Sequence, residues 1–393
     1  MLLDYILFSR NKLFFARILK ECRFFLFLSG TEQGVFGMSK TIKFGGTSLS
    51  CGKNIALAAG IIKKENVNYV VVSAPGKRFK EDKKITDLLL ACANSKSKTD
   101  RKNAFLAVKS RFSDIKKELG LTVDLEPDFS ETENAIFSED EGKTGYFFIV
   151  SRGEYMCAKL IANYLGWKFI GGDSILKFDR DGALDVKQSV FCTKSALKKV
   201  KNCVISGFYG SDDNGAVRLL PRGGSDVSGS IVAAATRSLY LNFTDVNGFC
   251  RCNPAIIENA ESLTNLSYTE AMRAANEGAS VIHPLAVGIA KEYNTEIIIK
   301  NTFNPDFRGT IIGKYRAKPK KFGAIAVTCE TDCVCVISGE GAGCDKIIKE
   351  EILSCLSSVG IIAREERSEE GVFRVGTDDA EKAVKALYSF LFG

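Results

Sequence analysis

Histidine is nearly absent from this sequence of 393 residues, where His283 stands alone. A single imidazole cannot build a histidine metal site, and chemistry that relies on a histidine base has little to draw on. Long apolar runs are also missing. In the aromatic, basic opening stretch "LFFARILKECRFFLFLSG" the longest uncharged run is about eight residues, against the roughly twenty that a membrane helix needs. That stretch also lacks the small-residue cleavage pattern of a secretory signal. A surface anchor is one reading of residues 1–37; the preferred one is an upstream extension of the reading frame with the functional start at Met38, and no membrane partner is expected. No charge block is present either. The formal net charge of +7 suits anionic ligands, but the lysines are scattered rather than gathered with aromatics, which argues against nucleic acid. The thirteen cysteines follow no regular spacing, and their odd number in so long a chain reads as reduced thiols in a cytosol. Cys250 with Cys252, and Cys333 with Cys335, form C-x-C pairs that put two thiols on one face of a strand, and no metal is expected there.

What the sequence does contain is material for at least two cores, with 45% hydrophobic residues in mixed-charge surroundings. From Met38 onward short apolar strands alternate with helical segments, which predicts an α/β fold with a sheet covered on both sides. "TIKF" leads into Gly45-Gly46, then Ile55, Ala59 and Ile62 recur at helical spacing before the strand run "YVVVSAPG". A charged, helical stretch follows from about Lys77 to Lys143, with "ITDLLLACA" its clearest amphipathic piece. Further strands are expected at "GYFFIVSRGE", "CVISGFYG", "SLYLNFTDVNG" and "EIIIKNTF". Ligands of such sheets sit beyond the carboxyl ends of the strands, so the loops that follow these runs should meet in one crevice. Gly142-Lys143-Thr144 imitates the end of a Walker A loop, but Phe137 stands where its leading glycine belongs. In "PRGGSDVSGSIVAAATRSL", bare backbone precedes a helix of small residues, an arrangement that offers N–H donors to an anion; an ordinary turn capped by Ser225 or Asp226 is the alternative.

The motifs "KFGGTS", "SAPG" followed by "ITDLL", "SRGE", "GFYGS…RGGSD", "FTDVNG" and "GASVIHP" occur in this order, and together they resemble aspartate kinase of the amino-acid kinase superfamily. The resemblance runs from about Met38 to Gly313 and continues in an ACT-like tail. It implies a three-layer α/β/α catalytic domain over 38–313, a basic linker over 314–320 and a single small α+β ACT-like domain over 321–393. It also implies ATP- and Mg2+-dependent transfer of a phosphoryl group to the side-chain carboxylate of L-aspartate, giving 4-phospho-L-aspartate on the way to lysine, threonine and methionine.

Phosphoryl transfer asks a protein mainly for positioning and charge neutralisation. Lys43 supplies a cation, Gly45 and Gly46 let backbone approach phosphates, and Thr47 and Ser48 offer hydroxyls. A carboxylate nucleophile is already deprotonated at neutral pH, so the scarcity of histidine fits this reaction. By resemblance, Lys43 and Asp226 are the catalytic pair. Arg222 is expected to hold the aspartate α-carboxylate, Glu154 the α-amino group, and Ser73, Thr86, Gly224 and Ser225 are expected to line the substrate site. Thr244 and Asp245 match nucleotide-contacting positions. Where many members carry an aromatic, an arginine and a lysine, this chain has Cys250, Ala255 and Ser280, which predicts a raised KM for ATP. A sibling kinase of the same fold, or a non-catalytic amino-acid sensor, are the alternatives.

The tail reads strand, strand, helix, strand, strand, helix, with Asp378 or Asp379 as the last N-cap. A lone module of about 73 residues has open sheet edge, so a homodimer joined through residues 321–393 is expected. Inhibition by lysine or threonine is expected to be weak or absent.

Overall fold

Alternation along the strands decides the architecture. In the computed structural model, which describes residues 39–138, 143–279, 281–330, 332–341, 346–366 and 368–393, the segment from Lys40 to Gly393 forms one unit. The expected extension over 1–37, Gly142 of the Walker-like triplet and Ser280 lie outside the described residues. Eight strands make the main sheet: β1 (Lys40–Phe44), β2 (Tyr69–Val72), β3 (Lys168–Ile170), β4 (Cys203–Ser206), β7 (Leu239–Thr244), β8 (Asn265–Ser267), β9 (Ile297–Asn301) and β10 (Thr310–Gly313). β5 (Tyr209–Ser211) and β6 (Val217–Leu219) form a separate hairpin. The sheet order is β3-β4-β2-β1-β7-β9-β10-β8, parallel throughout except at the antiparallel β9/β10 pair.

Successive residues of a strand face opposite sides, and the two cores follow that rule. Ile42, Phe44, Val70, Val72, Leu241 and Phe243 face one core, while Val71, Ile205, Tyr240, Ile297 and Ile299 face the other. The first core is covered by α1 (Gly52–Lys64), α2 (Ile85–Asn94), α3 (Lys98–Glu118), α4 (Glu126–Phe137) and α5 (Lys143–Leu165). Packed over the second are α6 (Val186–Leu197), α7 (Gly224–Thr236), α8 (Tyr268–Asn276) and α9 (Pro284–Glu292). This is the three-layer arrangement expected from the sequence.

One expected strand is a helix. "GYFFIVSRGE" lies inside α5, which continues through "YMCAKLIANYL". A continuous apolar run fits a buried strand and a buried helix equally well, and here the length of the apolar pattern beyond Glu154 favours the helix.

The tail folds as read: β11 (Ala324–Glu330), β12 (Cys333–Ser338), α10 (Lys346–Ser358), β13 (Ala363–Glu365), β14 (Val372–Thr377) and α11 (Ala380–Phe392), with Asp379 capping α11 through the Lys382 N–H. Its antiparallel sheet has the order β11-β12-β14-β13 and its own core around Val334, Phe373 and Leu387. Buried polar groups join it to the rest of the chain. Glu270, fully buried on α8, closes a capping box with Ser267 and also accepts the N–H groups of Ala317 (2.8 Å) and Glu340 (2.9 Å). Arg251 donates to the carbonyls of Ile325 (3.0 Å) and Lys318 (2.9 Å), and Arg374 grips the buried Glu277 with two hydrogen bonds.

Candidate active site

The three central strands β2, β1 and β7 run parallel side by side, so their carboxyl ends open at one place. The loops there are stitched together by backbone. The Gly45 N–H donates to the Phe243 carbonyl (3.0 Å), the Ser73 N–H to Phe44 (3.2 Å) and the Gly76 N–H to Gly46 (2.8 Å). Glycine is required at this last contact: a Cβ on Gly46 would stand 2.8 Å from the Ala74 carbonyl oxygen, and one on Gly76 2.7 Å from the Gly46 carbonyl carbon. Arg111, buried on α3, braces the same loop by donating to the Gly76 carbonyl (2.9 Å) and to both oxygens of Asp82 (2.7 and 2.6 Å). Burial opposes ionisation of Asp82, but the hydrogen bonds from Arg78 and the charge of Arg111 outweigh it and hold the carboxyl down at about 2.

Lys43 and Asp226 meet across this opening with Nζ 2.6 Å from Oδ1, both side chains about nine-tenths buried. Asp226 lies in the first turn of α7, where Gly223 precedes the helix with φ +80°, a left-handed conformation that favours glycine. The N-cap is Gly223, without a side-chain cap, so Ser225 and Asp226 do not serve as caps; both are buried inside the first turn. A capping carboxylate would be turned back onto its own helix, whereas this one faces strands β1 and β7. Its Oδ2 accepts the His283 N–H (3.0 Å), and Oδ1 also accepts Nδ2–H of Asn242 (3.0 Å).

Glu154 reaches the same opening from α5. It is 4% exposed, takes the Ala74 N–H, and its Oε2 is buried with no partner among the described residues. Burial pushes its carboxyl up to about 8. Gly153 beside it is needed for the approach, since a Cβ there would press on Ala74 at 2.8 Å. The neighbouring Arg152 turns away into an aromatic group, with its guanidinium 4.2 Å from the Phe148 ring centre and 4.3 Å from that of Tyr155.

The other expected residues fall around this centre. Ser73 ends the loop entry from β2, Thr86 is half-buried in the first turn of α2, and Gly224 and Ser225 open α7. Arg222 is exposed one residue before Gly223 and makes no hydrogen bond or ion pair with the described residues. Thr47 is exposed, whereas Ser48 is fully buried with its hydroxyl engaged by Thr302 (2.7 Å). Thr244 ends β7 and donates to the exposed Asp245 (3.2 Å). Sequence reasoning missed Asn242, Arg111 and the backbone of His283. A lone amide inside the apolar run "LYLNFT" was the available signal for the first; the others are tertiary contacts.

A model of the amino acid kinase family matches residues 39–301, two thirds of the sequence. The chain belongs to the amino acid kinase family. Among curated members, aspartokinase 3 of Bacillus subtilis is 32% identical over 284 residues, covering 69% of this chain and 63% of its own length. The aspartokinase of Chlamydia pneumoniae is 28% identical over 338 residues, covering 82% and 74%. The crystal structure of Clostridium acetobutylicum aspartate kinase superposes with a TM-score of 0.74 at 27% identity, covering 90% of this chain and 99% of that one. The match therefore spans less than two thirds of the Bacillus relative's length. Within this kinase fold, the departures at Cys250 and Ala255 sit in a stretch that packs against the C-terminal sheet: Cys252, Ile256, Ile257 and Ala260 turn into its core, and Ala255 is left exposed. Among the described residues, no helix is long and apolar enough to cross a membrane.

Proposed function

We propose that this chain is an aspartate kinase, transferring the γ-phosphoryl group of ATP to the side-chain carboxylate of L-aspartate. The observation that carries the reading is the pairing, at one opening, of the Lys43–Asp226 ion pair with a buried carboxyl, Glu154, that has an oxygen to spare. An unpartnered buried oxygen is costly, and an ammonium placed against it recovers that cost. Arg222, without a partner among the described residues, supplies a fork for the α-carboxylate. The amino acid is then held at both ends of its backbone, and its side-chain carboxylate is left to meet the phosphate near Lys43. That carboxylate needs no base to become a nucleophile. Lys43 offsets charge on the moving phosphoryl group.

Asp226 accepts donors from Lys43, Asn242 and His283, while Asp245 is an exposed carboxylate just after β7. That donor set fits a Mg2+ held chiefly by phosphate oxygens and water, where it would neutralise phosphate charge. In the C-terminal sheet one edge, β11, is met by the 251 stretch through the Val327 N–H, while the other, β13, is short and open, next to an Ile362 that is 73% exposed. A homodimer formed along that second edge, in a cytosolic enzyme little affected by lysine or threonine, completes the proposal. The test is ADP release measured with L-aspartate, L-glutamate, N-acetylglutamate and no acceptor. Release that depends on L-aspartate is expected; release with another acceptor points to a sibling kinase, and none at all to a sensor.

A further inference from the structure

Asn242 is an anomaly in the place where it stands. It occupies the middle of β7, at the centre of the sheet, is fully buried, and is paired in register with Lys43 of β1 on one side and Ile299 of β9 on the other. Its amide Nδ2–H donates to Asp226 Oδ1, the oxygen that also receives Lys43. Its own Oδ1 is buried and accepts nothing from the described residues. The acceptor side of the amide is therefore unsatisfied among the described residues, a loss of about 1–3 kcal/mol that a leucine of similar shape would avoid. Packing does not explain an asparagine here. What it gains is a neutral donor on the carboxylate that grips the site's lysine.

Resting on the reading above as a kinase, we propose that Asn242 is a positioning residue for Lys43, fixing Asp226 and sharing its Oδ1 so that the ammonium can turn toward phosphate. Every group facing that carboxylate has a distinct part in this. The His283 N–H pins Oδ2, the Tyr240 hydroxyl pins the Asp226 backbone carbonyl (3.1 Å), and Lys43 and Asn242 divide Oδ1. Remove the amide and Lys43 becomes the only donor on that oxygen. The ion pair then tightens in a water-poor site, and less of the lysine's charge is available to the moving phosphoryl group.

The test is Asn242→Leu in the full chain, with Asn242→Ser as a smaller second variant. The expected result is a kcat lowered about 10- to 100-fold with both KM values within about threefold, and a melting temperature unchanged or raised. A residue that only supports the fold would lower the melting temperature and leave kcat alone. A second readout does not need turnover: the rate at which acetic anhydride labels Lys43, followed by mass spectrometry, should fall several-fold in either variant while other lysines keep theirs. Unchanged kcat and unchanged labelling overturn the inference. If the wild type releases no ADP with any acceptor, the kinase reading falls, and the labelling rate still decides the role of Asn242.

Discussion

Glu154 makes the proposed substrate contact measurable through protons. Its ordinary value near 4.5 is raised to about 8 by burial, so at pH 7 about nine in ten free chains carry the proton on this carboxyl. An incoming ammonium requires the charged form. Binding of L-aspartate at pH 7 should therefore release close to one proton, falling to about half a proton at pH 8. Calorimetric titration in phosphate and in Tris, whose ionisation enthalpies differ widely, reads this number directly from the difference in apparent heat. The same linkage predicts that kcat/KM for aspartate rises about tenfold per pH unit below pH 8 and levels off above it. Glu154→Gln should abolish the proton release and raise the aspartate KM about 10- to 100-fold, the loss of one charge-assisted contact. Stability should move the opposite way with pH. Between 4.5 and 8 the folded carboxyl keeps a proton that the unfolded one has lost, so stability declines as pH rises through that window. Binding heats independent of buffer at pH 7 would refute the assignment, since they would mean that no proton leaves when the amino acid arrives.

Lys43→Ala and Asp226→Ala should lower kcat by about 10² to 10³, whereas Arg222→Ala should mainly raise the aspartate KM; near-normal kcat in the first two removes the site. Ala255→Arg, at an exposed position, should lower the ATP KM several-fold without touching that for aspartate, and steady-state kinetics with ATP varied will show whether it does. Arg374→Met leaves the buried Glu277 without its fork and should cost about 3 kcal/mol, visible as a melting temperature several degrees lower; an unshifted melt would mean that this clasp contributes little. The full chain should sediment as a dimer and Ile362→Asp as a monomer, with weak inhibition by lysine or threonine in either; a monomeric wild type removes the pairing argument.

How far the fold could be read in the sequence depended on how local its causes are. Short β-branched runs in "YVVV" and "EIIIKN" and the capped helix after Asp379 are properties of a few neighbouring residues, and these elements appear where expected. "GYFFIVSRGE" failed because a buried helix and a buried strand present the same unbroken apolar face to a reader of sequence. Lys43, Glu154 and Asp226, read as candidates from their motifs, lie at one opening because neighbouring parallel strands bring their carboxyl ends together. The remainder of the site was hidden. Arg111 lies on α3, far along the chain from the Gly76 carbonyl it holds, and nothing in "VKSRFSDI" distinguishes it from a surface arginine.

The stretch from Cys250 to Glu261 shows how the two kinds of information combine. Read as sequence, Ala255 is a lost cation and Cys250 a lost aromatic, both weakening a nucleotide site. In the fold the same stretch has a second task. Cys252, Ile256 and Ile257 fill the core of the C-terminal module, Arg251 binds the carbonyls of Ile325 and Lys318, and the Tyr388 hydroxyl accepts the Glu261 N–H (2.9 Å). A segment fixed on one side by so many buried contacts cannot adjust freely on the other. Restoring arginine at 255 therefore tests charge alone, because the exposed Ala255 can be enlarged without disturbing that packing. A variant that instead loosens the module, such as Arg251→Met, should change ATP binding and thermal stability together. If Arg251→Met lowers stability while leaving the ATP KM unmoved, the two tasks of this stretch are independent, and the departures at 250 and 255 have to be explained by the nucleotide site alone.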